Sequence, residues 1–104
     1  MLITNNDQIA GREVTETLGL VKGNTIRARN VGSDILAGLR NLVGGEVKGY
    51  TKMISDARDE ALARMKEEAE SMGADAIINV RFTTSQVMSG SSEILAYGTA
   101  VKLK

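Results

Sequence analysis

Residues 44–73, GGEVKGYTKMISDARDEALARMKEEAESMG, limit the possible folds more than any other stretch of the chain. Apolar or small residues recur at Val47, Tyr50, Ile54, Ala57, Ala61, Met65, Ala69 and Met72. Steps of three and four keep such residues on one face of an α-helix. Lys52, Asp56, Asp59, Glu60, Lys66, Glu67 and Glu70 fall on the opposite face. Glu60–Arg64 and Arg64–Glu68 stand at i,i+4, a spacing worth a few tenths of a kcal/mol per pair. Gly73 follows the last periodic residue, where a left-handed C′ position favours glycine. The rest of the chain reads as sheet laid beneath this helix.

A chain of 104 residues suffices for one small domain, so residues 1–104 are read as a single unit. Three aromatic residues, Tyr50, Phe82 and Tyr97, leave the core to aliphatic side chains. Thirteen basic and thirteen acidic residues cancel, which argues against a nucleic-acid footprint, since that needs a basic surplus. Cysteine and histidine are both absent. Their absence removes disulfides, thiolate metal sites, the commonest general base and the commonest transition-metal ligand. No run approaches the ~20 apolar residues of a membrane helix, and the start has no signal pattern. The expectation is a soluble cytoplasmic protein with no membrane or nucleic-acid partner and no cofactor.

In chain order, residues 1–4 suggest a short edge or pairing strand. Asn5, Asn6 and Asp7 form a turn cluster. From Ile9 to about Arg29 the sequence favours extended structure, with Val14, Thr15, Thr17 and Val21 as strand formers. Gly19 and Gly23 interrupt it, as bulges or close backbone approaches do. Residues 22–25 also fit a hairpin turn; one long, bent strand is the preferred reading. Ser33 and Asp34 open a short helix over Ile35, Leu36, Leu39, Leu42 and Val43, and Gly44–Gly45 ends it. Residues 74–83 form a strand, residues 83–92 a polar hairpin loop, and residues 93–103 the last strand. On that strand Leu95, Tyr97, Thr99, Val101 and Leu103 point one way, and Ile94, Ala96, Gly98 and Ala100 the other. A half-solvated strand alternates sharply, so both faces are expected to be covered.

Chemistry is sparse. The helix carboxylates follow its solvated side with Lys and Arg interleaved, as a soluble surface does. The loops at Gly32 and Gly44–Gly45 spell no phosphate motif. Asn79 and Arg81 sit in an apolar strand, either alternating outward or anchoring a ligand. Met53 and Met65 are better explained as adaptable core filler than as thioether ligands. Without histidine no Ser or Thr has its usual activator, and no S-x-x-K motif occurs.

The ordered set Asp34, Ala37-Gly38-Leu39-Arg40-Asn41, Gly44-Gly45, Tyr50, Ala57-Arg58, Gly73-Ala74-Asp75-Ala76, Val80-Arg81-Phe82 and Gly98-Thr99-Ala100-Val101 resembles the YbjQ-like family. The resemblance spans nearly the whole chain, from about Arg12 to Leu103. The family is one of small bacterial and archaeal proteins without an assigned function, under a label that points to heavy-metal binding. The resemblance implies a two-layer subunit similar to those of dodecin, assembled as a homopentamer, and it transfers no catalytic residues.

The expected fold is therefore α+β: an antiparallel sheet packed under one long helix plus one short helix, closing into a ring of copies. The expected function is that of a small bacterial self-assembling module holding a small molecule or ion at subunit junctions. Arg27, Asn30, Asp34, Asn41, Tyr50 and Arg58 would line that junction. The alternatives are an enzyme using carboxylate, Arg and Tyr chemistry, or the heavy-metal binding of the family label. No metal ligands are assigned. A helix over 45–72 would be about 40 Å long, against a diameter of roughly 30–35 Å for a compact domain of this size. The overhang predicts an oligomer, with the residue 1–4 strand pairing across the boundary.

Overall fold

The computed structural model describes residues 1–28, 48–88 and 91–104. Four strands and one long helix run in the order β1 (Leu2–Ile3), β2 (Val14–Ala28), α1 (Lys48–Ser71), β3 (Ala76–Met88) and β4 (Ser91–Leu103). The strands form one sheet in the order β1-β3-β4-β2. β4 pairs antiparallel with both β2 and β3, whereas β1 runs parallel to β3. The two-layer α+β architecture is as expected, on a mixed sheet. The short helix expected after Ser33 lies outside the described residues.

α1 buries the face that its period predicts: Ala57, Ala61, Met65 and Ala69 are 0% exposed. It lies chiefly over β2, less over β4 and hardly over β3. Small residues permit the close seat. A β-carbon built on Gly23 would collide with Ala61 O and Met65 N of the helix backbone. Thr25, two residues on, is buried and donates its hydroxyl to Ala57 O at 3.1 Å. At the other end of α1, Gly73 adopts φ +78°. Ala74 N donates to Ala69 O, and Gly73 N to Glu70 O, the paired closure that satisfies the last helical carbonyls.

β2 is one long strand, with register shifts between Val14 and Glu16 and between Thr17 and Gly19. It begins at Val14 instead of Ile9, because Arg12 N bonds Ile9 O in a turn and Gly11 takes φ +75°. Residues 83–92 do not form a broad loop. β3 continues to Met88 and β4 starts at Ser91, paired almost to their ends. Thr, Ser and Gln are polar, yet their backbones complete the ladder as well as any residue, and Thr favours strands outright. β1 pairs with β3 of its own chain, Leu2 opposite Ala76 and Ile3 opposite Ile77, not across a subunit boundary.

The chain measures 53 × 27 × 16 Å, with a radius of gyration of 16.9 Å. A compact chain of this length has about 13 Å. The 15 residues of β2 account for the length, since a strand rises about 3.3 Å per residue. The helix therefore does not overhang a round domain; the whole molecule is drawn out and thin.

Candidate functional site

The strand registers divide the sheet into two faces. Toward α1 lie the rows Gly19–Ala100–Ile77, Gly23–Ala96–Phe82 and Thr25–Ile94–Thr84. Away from it lie Leu20–Thr99–Ile78, Lys22–Tyr97–Arg81, Asn24–Leu95–Thr83 and Ile26–Glu93–Ser85. At one end this outer face has cover of its own: Ile9, Val14 and Leu103 pack on Ala76, Ile78 and Val101. Toward the hairpin end no described residue continues that cover, and Leu20 and Ile26 are 67% and 60% exposed. Phe82 faces the helix layer, yet is 44% exposed because α1 lies over β2 instead of β3.

Polar groups are ordered within this surface. Asn24 Nδ2 donates to Glu93 Oε2 at 3.1 Å. Arg81 Nη1 donates to Asn5 O at 2.9 Å, pinning the chain just after β1. Lys22 and Arg81 flank Tyr97 in one row, so their Cα atoms stand about 10 Å apart, two strand spacings. Two cations beside a phenol can receive an anionic or aromatic group; the row carries no nucleophile and activating base.

Arg81 follows a kink. Asn79 takes φ 54°, a conformation Asn tolerates better than most residues. The pairing with β4 shifts register there, and Asn79 N and Val80 N bond Asn6 O and Thr4 O. Both Asn79 and Arg81 are exposed, which agrees with the outward reading of this pair.

Of the six residues assigned to a junction, Arg58 has a described side chain and is exposed on the solvent side of α1. Arg27 lies on β2 opposite Ser92, and Tyr50 in the first turn of α1; their side chains are outside the described residues, as are Asn30, Asp34 and Asn41 altogether. Sequence reasoning missed a clasp on the β2 edge. Lys22 N donates to Glu68 Oε2 at 3.2 Å, and Arg64 Nη1 donates to Asn24 O at 2.6 Å. The i,i+4 spacing pointed to Glu68 as a partner for Arg64. Arg64 does pair with Glu60, while Glu68 turns to the strand.

A depression of ≈ 350 Å³ lies beside the residue 7–14 turn, lined by Asp7, Gln8, Ile9, Arg12, Glu13 and Val14. Arg12 Nε, on its rim, donates to Lys104 O. Among the described residues no group of three or more carboxylates comes together. With neither Cys nor His in the chain, the donor set does not fit a heavy-metal centre, because soft and borderline ions select thiolate and imidazole. No described helix is long and apolar enough to cross a membrane.

The chain's relatives are consistent in sequence and length. A "UPF0145 protein" of the archaeon Halorubrum lacusprofundi is 65% identical over 104 residues, covering 100% of both chains. One from Archaeoglobus fulgidus is 61% identical, covering 100% of this chain and 96% of its own. One from Photobacterium profundum is 58% identical, covering 99% and 100%. Relatives thus come from archaea as well as bacteria, and a specifically bacterial origin is not supported. Among solved structures, a protein of unknown function from Pediococcus pentosaceus superposes with a TM-score of 0.67 at 20% identity, over 100% of this chain and 98% of its own; the likeness shows a shared fold. The family model YbjQ_1, described as "Putative heavy-metal-binding", matches residues 1–104. By that match and these identities, the chain belongs to the YbjQ-like UPF0145 family.

Proposed function

We propose that this chain is the subunit of a self-assembling binding module, a ring of five copies that holds a small molecule or ion where subunits meet. The observation that carries the reading is unfinished burial. The chain exposes 6791 Å², whereas a compact monomer of 11.1 kDa exposes about 5,700 Å². The excess of about 1,100 Å² is larger than the roughly 800 Å² that each partner gives to a standard interface. Apolar residues on both sheet faces contribute to it, with Leu20 and Ile26 on one and Phe82 on the other.

One self-complementary contact covers one patch. A head-to-tail contact joins two different patches and repeats for every copy, closing as a ring. The number five rests on the family resemblance alone. A ligand site between copies accounts for a subunit that gathers little chemistry of its own, and Arg27, Asn30, Asp34, Asn41, Tyr50 and Arg58 are its proposed lining. Lys22 and Arg81 beside Tyr97 favour an anionic or aromatic guest over a cation.

Native mass spectrometry of protein purified from its own host tests both parts. The expected spectrum has a pentamer carrying a non-protein mass. A folded single chain would contradict the assembly, and a bare ring would contradict the guest.

A further inference from the structure

We propose that the free edge of β3 beyond Arg81 is a strand-addition site, and that its occupant is the β2 edge of a second copy of this chain, around Ile26. The inference rests on the self-assembly reading and names the surfaces that meet.

The two edges of the sheet are finished differently. β1 covers β3 only at Ala76 and Ile77. Thr4 O and Asn6 O then take Val80 N and Asn79 N. β3 continues to Met88, paired with β4 on one side. Peptide groups alternate in direction along a strand. Val80 N points away from β4 to Thr4 O, so Phe82, Thr84 and Gln86 turn the same way. No described residue takes up these groups. The segment Phe82-Thr83-Thr84-Ser85-Gln86 contains no charge, proline or glycine, so it lacks the charged and proline residues with which natural edges resist pairing.

On the opposite edge α1 supplies such a device. Glu68 accepts from Lys22 N, and Arg64 donates to Asn24 O, as a neighbouring strand would. This clasp stops at Asn24. The next outward residue on β2 is Ile26, whose side chain is 60% exposed. Ile26 and Ser85 both stand opposite Glu93, so the two open edges lie level, on either side of the same end of the sheet. β2 and β3 also run in the same direction, each being antiparallel to β4. Rotation about an axis along the strands therefore brings β2 of one copy beside β3 of the next, parallel and in step. Repeated round a ring, this pairs both of these edges in every copy, much as strands close a barrel. Pairing β3 with β3 of another copy would leave the β2 edge open at Ile26.

Residue-resolved hydrogen exchange on the wild-type assembly tests this directly. The amides of Phe82, Thr84 and Ile26 point away from every described strand of their own subunit, and they are expected to exchange at least about 100-fold more slowly than open amides. Slow exchange at Phe82 and Thr84 with free exchange at Ile26 would mean self-pairing of β3 or a foreign peptide, and would overturn the proposal. Free exchange at all three in an assembled protein would also overturn it, leaving self-assembly intact; a wild type that sediments as single chains would remove both. Thr84→Pro deletes one outward N–H and no bond to β4, a change that edge strands tolerate. The variant is expected to keep its helical circular dichroism and to sediment as smaller species; a folded variant of undiminished mass would contradict the contact.

Discussion

Neighbouring residues of β2 occupy opposite surroundings. Val21 and Thr25 are sealed beneath α1, while Leu20 and Ile26 are among the most exposed large side chains of the subunit. Val21 and Ile26 are nearly the same chemically, so hydrophobicity alone does not locate the core. The helix does. It lies over one face of β2 and β4, fitted so closely that Gly23 has no room for a side chain. The outer face has comparable apolar residues and, among the described residues, no helix over them. The contrast separates what one chain completes from what, on the self-assembly reading, a second copy completes.

Ala61→Asp, which places an unpaired charge on the sealed side, has the largest expected effect. The expected loss is at least about 4 kcal/mol, enough to unfold a domain of this size. A melting temperature equal to the parent's would reject the assigned face. Gly23→Ala comes next. Its new methyl meets helix backbone, which cannot rotate away, and the expected cost is about 3 kcal/mol by urea denaturation. Little or no change would mean that α1 sits further from β2 than described.

Substitutions on the open side should behave oppositely. Ile26→Ser is expected to leave the fold intact, with helical circular dichroism like the parent's, because an exposed position contributes no more than about 0.5 kcal/mol to its own chain. The same change should weaken association, read as a rise in the dissociation constant of the assembly. Loss of the helical signal in place of weaker association would show that the two faces do not differ in this way.

The sealed side was legible in the sequence because its rules are local. The spacing from Ile54 through Ala69 fixed the helix face, Gly73 marked its end, and Gly23 announced a close backbone approach. The two apolar faces of β4 were equally plain. The polar run Thr83-Thr84-Ser85-Gln86 misled, since side-chain polarity says little about whether a backbone joins a ladder. The parallel docking of β1 on β3 joins residues about 74 positions apart in sequence, and no local pattern encodes it. The Glu68 and Arg64 clasp escaped because i,i+4 spacing also pairs those residues with helix neighbours. Among the six junction candidates only Arg58 has a described side chain, and it points to solvent. A site shared between copies, as proposed above, would leave no periodic trace in one of them.

The smallest expected effect concerns metal. Neither side of the sheet offers thiolate or imidazole, so zinc, copper or nickel should bind no tighter than roughly tens of micromolar by calorimetry, the range left to scattered carboxylates. A stoichiometric submicromolar site would restore the family's label and require donors that the described residues do not assemble.

Sedimentation equilibrium at micromolar concentration asks whether the open side is covered in solution. Each chain has a mass of 11.1 kDa. Self-assembly predicts a stable species at a whole multiple of that mass, five on the family resemblance, with no folded single chain at equilibrium. A different closed multiple would revise only the number; a stable, folded species at 11.1 kDa would contradict the account.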